Sequence, residues 1–167
     1  MPARLSRWGV GPQIAAAALG YAVLAGAASR RWPNLCLLRW LPFGVDEAIA
    51  GILLVAGVAM LMVAARSVMR AYNRDQLITS GVFGLVRHPV YSAWIVFLVP
   101  ALGLLSRSWP VLLTPLAAYA AFKRLIHRED EYLQQRFGQA YLDYRASVSE
   151  LIPRPRASRP RHKSASA

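Results

Sequence analysis

Long uncharged blocks alternate with short polar segments along this chain. Four windows contain no Asp, Glu, Lys, Arg or His: Trp8–Ser29 (22 residues), Ala48–Ala65 (18), Pro89–Ser106 (18) and Ser108–Phe122 (15). A membrane-spanning helix needs about 17–25 such residues. The first three windows meet that length. The fourth is shorter, but Arg107, Lys123 and Arg124 at its ends can snorkel toward the headgroups. Only Ser106-Arg107-Ser108 separates the last two windows, and Trp109-Pro110 follows. This pattern predicts a tight helical hairpin with an interfacial tryptophan and a proline in the first turn.

After Phe122 the pattern changes. Leu133, Phe137, Tyr141, Tyr144 and Val148 recur every three or four residues within a polar stretch. That spacing predicts an apolar stripe on a helix, either lying at the membrane surface or packed on the cytosolic ends of the spans. Gly138 interrupts the stripe and argues against an unbroken helix. From Pro153 to Ala167 no apolar period remains, and the basic, Pro- and Ser-rich composition predicts a disordered tail. The expected class is therefore all-α: a multi-pass membrane protein with about four transmembrane helices and a C-terminal cytosolic or interfacial helix. Its expected organisation is a first span with its following loop at 1–46, a core at 47–152 and a basic tail at 153–167.

Composition agrees with that class. Apolar residues make up 56% and charged residues only 17% of the chain, against about 25% charged in ordinary soluble domains. The formal charge is +12, which in a soluble chain would suggest a nucleic-acid partner. Here ten of the 20 Lys and Arg residues follow Phe122, and a basic tail beside a membrane serves as an anchor for anionic headgroups. The lipid bilayer, not nucleic acid, is the expected partner. Arg4 and Arg7, then Arg66, Arg70, Arg74 and Arg87, then Lys123, Arg124 and Arg128 would all fall on one side of a four-span arrangement. The positive-inside rule makes that side the cytoplasm. The opposing loop also carries Arg30, Arg31 and Arg39. The alternative for the first window is a cleaved signal peptide ending near Ala25-Gly26-Ala27, although its apolar run exceeds the usual ~7–15 residues. A lone cysteine, Cys36, excludes an intrachain disulfide, and His88, His127 and His162 match no zinc spacing; no metal is expected.

Two polar clusters could carry chemistry. In Asp75–Tyr91, DQLITSGVFGLVRHPVY, Pro89 suits the first position of a helix with His88 just before it. The free N–H groups of such a helix start can seat a carboxylate or phosphate, and Arg87 adds a bidentate donor. The plain alternative is a capped span with a headgroup-facing cation. In Arg124-Leu-Ile-His-Arg-Glu-Asp-Glu, the carboxylates of Glu129, Asp130 and Glu131 could accept ribose hydroxyls or an ammonium group. The alternative is a solvated helix face with local ion pairs.

In this order the clusters resemble the isoprenylcysteine carboxyl methyltransferase and phospholipid methyltransferase superfamily of integral membrane enzymes. The resemblance runs from about Gly51 to Ile152. Its RHPxY motif is complete as Arg87, His88, Pro89 and Tyr91, and its trailing FGxxYxxYxxxV is intact at Phe137, Gly138, Tyr141, Tyr144 and Val148. The glycine expected two places after Tyr91 is Ala93, the paired acid is Glu129 followed by Asp130, and Phe83 stands where a tyrosine is common. The resemblance implies S-adenosylmethionine as cofactor, contacted by Gln76, Leu77, Ile78, Phe83, His88, Pro89, Val90, Tyr91, Glu129 and Asp130. It implies methyl transfer at the cytosolic face of a membrane, such as the bacterial inner membrane, to a hydrophobic small-molecule or lipid-like acceptor. Arg87 and Arg124 are the candidate catalytic residues, Arg124 as the arginine on the acceptor side. Methyl transfer from an activated donor asks the protein mainly for alignment and desolvation. The rival readings are a phospholipid N-methyltransferase and a non-catalytic membrane protein that retains the fold, the latter favoured by Ala93 and Asp130. Oligomeric state is left open.

Overall fold

A computed structural model describes residues 9–39, 42, 44–72 and 76–153. Arg4, Arg7 and Arg74 of the expected charge bias, and the tail from 154 onward, lie outside the described residues. Among the described residues the chain is all-α, with two isolated backbone bridges and no strand. The first window forms α1, Gly11–Arg31. A single turn, α2 (Pro33–Cys36), follows, and the next helix is α3, Val45–Tyr72. Asp46 and Glu47 lie in the first turn of α3 and Arg70 in its last, as the helix dipole favours.

The third window forms one apolar rod, Pro89–Leu105. It starts as α4 (Pro89–Ser92), widens into a π-helical segment at Ala93–Leu98 and ends as α5 (Val99–Leu105). Pro100 has no N–H to return to Val96, four residues back, so the normal ladder is lost there and the wider turn takes its place. The fourth window is divided. The short α6 (Trp109–Leu112) stops at Leu113, and α7 runs from Thr114 to Phe137. Its apolar first half therefore continues directly into the polar segment that follows the window. Gly138, at φ +56°, ends α7, and α8 covers Gln139–Ser147. A left-handed backbone at this point favours glycine.

Among the described residues two helices are long and apolar enough to cross a membrane by themselves, α1 and the Val45–Arg70 portion of α3, fewer than the four windows. The difference has a local cause. The third rod is 17 residues long, and the break at Leu113 with the polar extension of α7 dilutes the fourth window. On α1, Leu19, Val23 and Leu24 face outward, as do Ile52, Val55 and Met69 on α3. Helices apolar on nearly every face belong in a core or a membrane, and here the outer faces are open.

α3 packs along the third rod, and α1 packs along α7 and α6. Thr114, Ala118, Phe122, Ile126 and Asp130 recur every fourth residue as the buried face of α7. Val10, Ile14, Ile95, Ala118, Phe122, Ile126 and Leu151 form the central apolar cluster. The hairpin end is tied by polar contacts. Ser29 Oγ meets Ser108 Oγ at 2.6 Å, Trp109 Nε1 donates to the Leu35 carbonyl at 2.9 Å, and Arg107 pairs with buried Asp46 at 2.7 Å. These contacts set the bundle from the end of the third rod opposite to Arg87 and His88.

Candidate active site

The two polar clusters meet at the start of the third rod. Pro89 is the first residue of α4, with His88 preceding it, as the sequence pattern predicts. The extended strap Ser149–Leu151 runs beside this helix start. Arg87 N–H donates to the Ser149 carbonyl at 2.7 Å, His88 N–H to the Glu150 carbonyl at 3.1 Å, and Ser92 Oγ to the Leu151 carbonyl at 2.7 Å. The strap thus pairs the backbone N–H groups of the two residues that precede the helix.

Behind this turn lies a charge cluster whose Arg87, His88 and Asp130 are almost fully buried. Arg87 Nη1 donates to both oxygens of Asp130 at 3.3 Å and approaches the Tyr141 hydroxyl at 3.4 Å. Arg87 Nη2 lies 3.8 Å from Glu150 Oε1, and Glu150 Oε2 in turn accepts from Lys123 Nζ at 2.8 Å. Tyr141 donates to Asp130 Oδ1, while His88 Nε2 stands 3.3 Å from the same oxygen, off the line of a hydrogen bond. Burial by itself would raise the pKa of Asp130. The His88 and Tyr141 contacts and the Arg87 guanidinium outweigh burial and hold the carboxyl well below the usual carboxylate range. Burial and the hydrogen bond to Asp130 push the Tyr141 phenol up. Burial pushes Tyr144 up to about 12, and its neutral hydroxyl donates to the Phe83 carbonyl at 2.7 Å.

In front of the cluster is a cavity of about 260 Å³. Its wall includes Gln76, Leu77, Ile78, Phe83, Arg87, His88, Pro89, Val90, Tyr91 and Glu129. Segments far apart in sequence therefore meet on one space, and Tyr91 donates to Glu129 Oε2 at 2.9 Å across it. Arg87 is 9% exposed, and its Nε–H is fully buried with no hydrogen-bond partner among the described residues.

Two expected site residues stand elsewhere. Asp130 is not in the wall; it lies behind it and holds Arg87 and Tyr141. Arg124 is exposed and absent from the wall. Two residues along a helix are about 200° around its axis, so Arg124 falls opposite buried Phe122 and Ile126.

The cavity also has walls that the sequence reading did not assign to it: Val68 of α3, Leu133, Arg136 and Phe137 of α7, and Tyr141 and Tyr144 of α8. Four of these six belong to the stripe expected from periodicity. The stripe faces the cavity and continues across the break at Gly138, with Tyr141 and Tyr144 of α8 in the wall. Arg136 carried no comparable signal. It donates to the Tyr132 hydroxyl at 2.8 Å and lies over the Tyr132 and Phe137 rings.

Residues 48–135 match the family model described as isoprenylcysteine carboxyl methyltransferase (ICMT) family. Among curated proteins, the chain is 35% identical over 77 residues to a protein-S-isoprenylcysteine O-methyltransferase of Dictyostelium discoideum, covering 46% of this chain and 32% of that protein. It is 34% identical over 82 residues to the enzyme of that name from Schizosaccharomyces pombe, covering 48% and 35%. It is 28% identical over 85 residues to protein-S-isoprenylcysteine O-methyltransferase B of Arabidopsis thaliana, covering 51% and 43%. The chain thus spans about a third to two fifths of the length of these relatives. No solved structure matches it. The matched segment carries α3, the third rod and most of α7, which supply Arg87 to Tyr91 and Glu129 to the cavity. The chain belongs to the isoprenylcysteine carboxyl methyltransferase family.

Proposed function

We propose that the protein is an integral membrane methyltransferase that uses S-adenosylmethionine and acts at the cytosolic face on a hydrophobic or lipid-like acceptor. The observation that carries this reading is the single cavity shared by Gln76–Ile78, Phe83, Arg87–Tyr91 and Glu129. Its chemistry fits the cofactor. The Arg87 guanidinium and the start of α4 suit a carboxylate. Glu129 suits ribose hydroxyls or an ammonium group. Phe83, Tyr91 and Phe137 offer faces for adenine or the sulfonium. The cofactor, when bound, supplies an activated methyl group.

The work of the chain is then to hold, align and exclude water. Asp130, Tyr141 and Glu150 fix the Arg87 guanidinium, so the side chain is in place before a ligand arrives. The mostly apolar wall excludes water and strengthens each charged contact inside it. A carboxylate or thiolate acceptor needs no dedicated general base, because it is already nucleophilic. Arg124, outside the wall, is assigned to the headgroups as an anchoring cation, and Arg87 remains the arginine of the site.

We also propose four membrane crossings, with the third rod and the first half of α7 as a hairpin between α1 and α3. Snorkelling cations at its ends support this despite the shorter apolar lengths. The deciding experiment for function supplies isotopically labelled S-adenosylmethionine to the detergent-solubilised full chain. The acceptor panel holds S-prenylated cysteine, small hydrophobic thiols and phosphatidylethanolamine, with products identified by mass spectrometry. Transfer to a carboxylate or thiol supports the reading. Transfer to phosphatidylethanolamine alone moves the assignment to phospholipid N-methylation. Absence of both cofactor binding and transfer leaves a non-catalytic member of the family.

A further inference from the structure

We propose that the N-terminal turn at Gly9–Gly11 is a positioning element for the Glu129 carboxylate, and that Gly9 is glycine so that the backbone can close onto it. The inference rests on the cofactor-binding reading above. It adds to that site a support from outside the family-matched residues 48–135. Gly9 has φ +55°, and a Cβ added there would stand 2.7 Å from Glu129 Oε2 and 3.3 Å from the Tyr91 hydroxyl. The obstacle is the end of a long side chain, so the contact bears on the carboxylate itself and not on the frame of α7. The turn has little room to retreat: Val10 and Ile14 are 2% and 5% exposed and belong to the central cluster with Phe122 and Ile126.

Tyr91 completes the arrangement. Its hydroxyl donates to Glu129 Oε2 at 2.9 Å and stands against the Gly9–Gly11 turn, 3.3 Å from a Cβ added at Gly9 and 3.8 Å from one added at Gly11. Oε2 is therefore held between the Gly9 backbone and the Tyr91 hydroxyl. A glutamate has several rotatable bonds, and a ligand that must order them loses affinity. The turn removes that freedom beforehand. The first helix, which brings no residue to the cavity wall, contributes in this way to the site's readiness.

The test uses S-adenosylhomocysteine as probe and isothermal titration on the detergent-solubilised full chain. Gly9→Ala adds both Cβ and backbone strain; Gly9→Asn adds a Cβ but tolerates the left-handed backbone better. Gly20→Ala, on an open face of α1, controls for changes in that helix. Gly9→Ala and Gly9→Asn should each weaken binding about tenfold, and Gly9→Ala should add nothing once Glu129→Ala is present, because the two residues act as one unit. Wild-type affinity in Gly9→Asn would overturn the proposal, as would an equal loss from Gly9→Ala with and without the carboxylate. Thermal midpoints of the ligand-free protein give a separate reading. Gly9→Ala should lower the midpoint less in the Glu129→Ala background, and equal drops would refute the contact. If wild type binds no S-adenosylhomocysteine while the midpoints still couple, the cofactor reading falls and the contact between Gly9 and Glu129 stands.

Discussion

Asp130 is the residue on which the buried cluster turns. Its depressed pKa means that the folded state holds the ionised carboxylate more tightly than the unfolded chain does. The resulting stabilisation is present above the unfolded value of about 4 and is lost as pH falls below it. The thermal midpoint of wild type in detergent should therefore hold near neutral pH and drop below pH ~4, with a shallower acid limb for Asp130→Asn. At neutral pH the same variant removes the nearer charge that faces Arg87 and leaves only Glu150, 3.8 Å away, so it should cost up to about 3 kcal/mol in a denaturant titration. Arg124 gives the contrasting case. It is exposed and outside the cavity wall, and lysine snorkels as arginine does. Arg124→Lys should leave S-adenosylhomocysteine affinity and kcat/KM within about twofold of wild type. A loss of tenfold or more, the ~1.4 kcal/mol scale, would restore the acceptor-side role that resemblance suggested.

The elements that build the site are held by two short connections. Gly138 separates α7 from α8 in a left-handed conformation with open space around it, so a side chain there meets strain and no clash. Gly138→Ala should cost about 1–2 kcal/mol in thermal unfolding, and it should weaken S-adenosylhomocysteine binding because Tyr141 and Tyr144 reach the cavity only across this turn. The second connection is the strap Ser149–Leu151, which accepts from Arg87, His88 and Ser92. Truncation after Val148 removes three hydrogen bonds, each worth about 0.5–1.5 kcal/mol when satisfied and more when a buried donor is orphaned. The truncated protein should lose probe affinity more than tenfold, while removal of residues 154–167 alone should leave it unchanged. Calorimetry on the two truncations distinguishes the strap from the tail. The periodic stripe was readable in sequence, and its interruption at Gly138 was too. Its direction was not, since a helical stripe facing lipid headgroups and one facing a cavity have the same period.

On the scale of the whole molecule, the bundle must bring residue 88 and residue 129 to the same end. A third rod that leaves and an α7 that returns achieve this through the Ser106–Ser108 turn, tied by Asp46, Ser29 and Trp109 contacts. A four-crossing arrangement puts Thr79 and Glu131 on one side and Ser106 on the other. Single cysteines at those positions, introduced into a Cys36→Ser background, should react with an impermeant maleimide from opposite faces of sealed vesicles. Reaction of all three from one face would refute the hairpin as a pair of crossings. Extraction by alkaline carbonate would refute integral insertion altogether, against the two long apolar helices α1 and α3.

The linear order of residues was enough for the helical class, the apolar windows, the helix start at Pro89 and the motif residues at 87–91 and 129. These depend on local rules: helix periodicity, charge exclusion from spans, and the fixed φ of proline. The windows alone left the number of crossings unsettled, because a charge count does not register the break at Leu113 or the way α7 merges with its polar half. Which acid faces the cavity and which lies behind it was beyond the same rules. Glu129 and Asp130 are neighbours with the same charge, and the 100° between successive residues on α7 separates them into a wall residue and a buried anchor for Arg87. The contact of Gly9 with Glu129, 120 positions apart, came from packing alone: α1 must lie along α7 before its first turn can meet that carboxylate, and no local pattern encodes a neighbour at that distance.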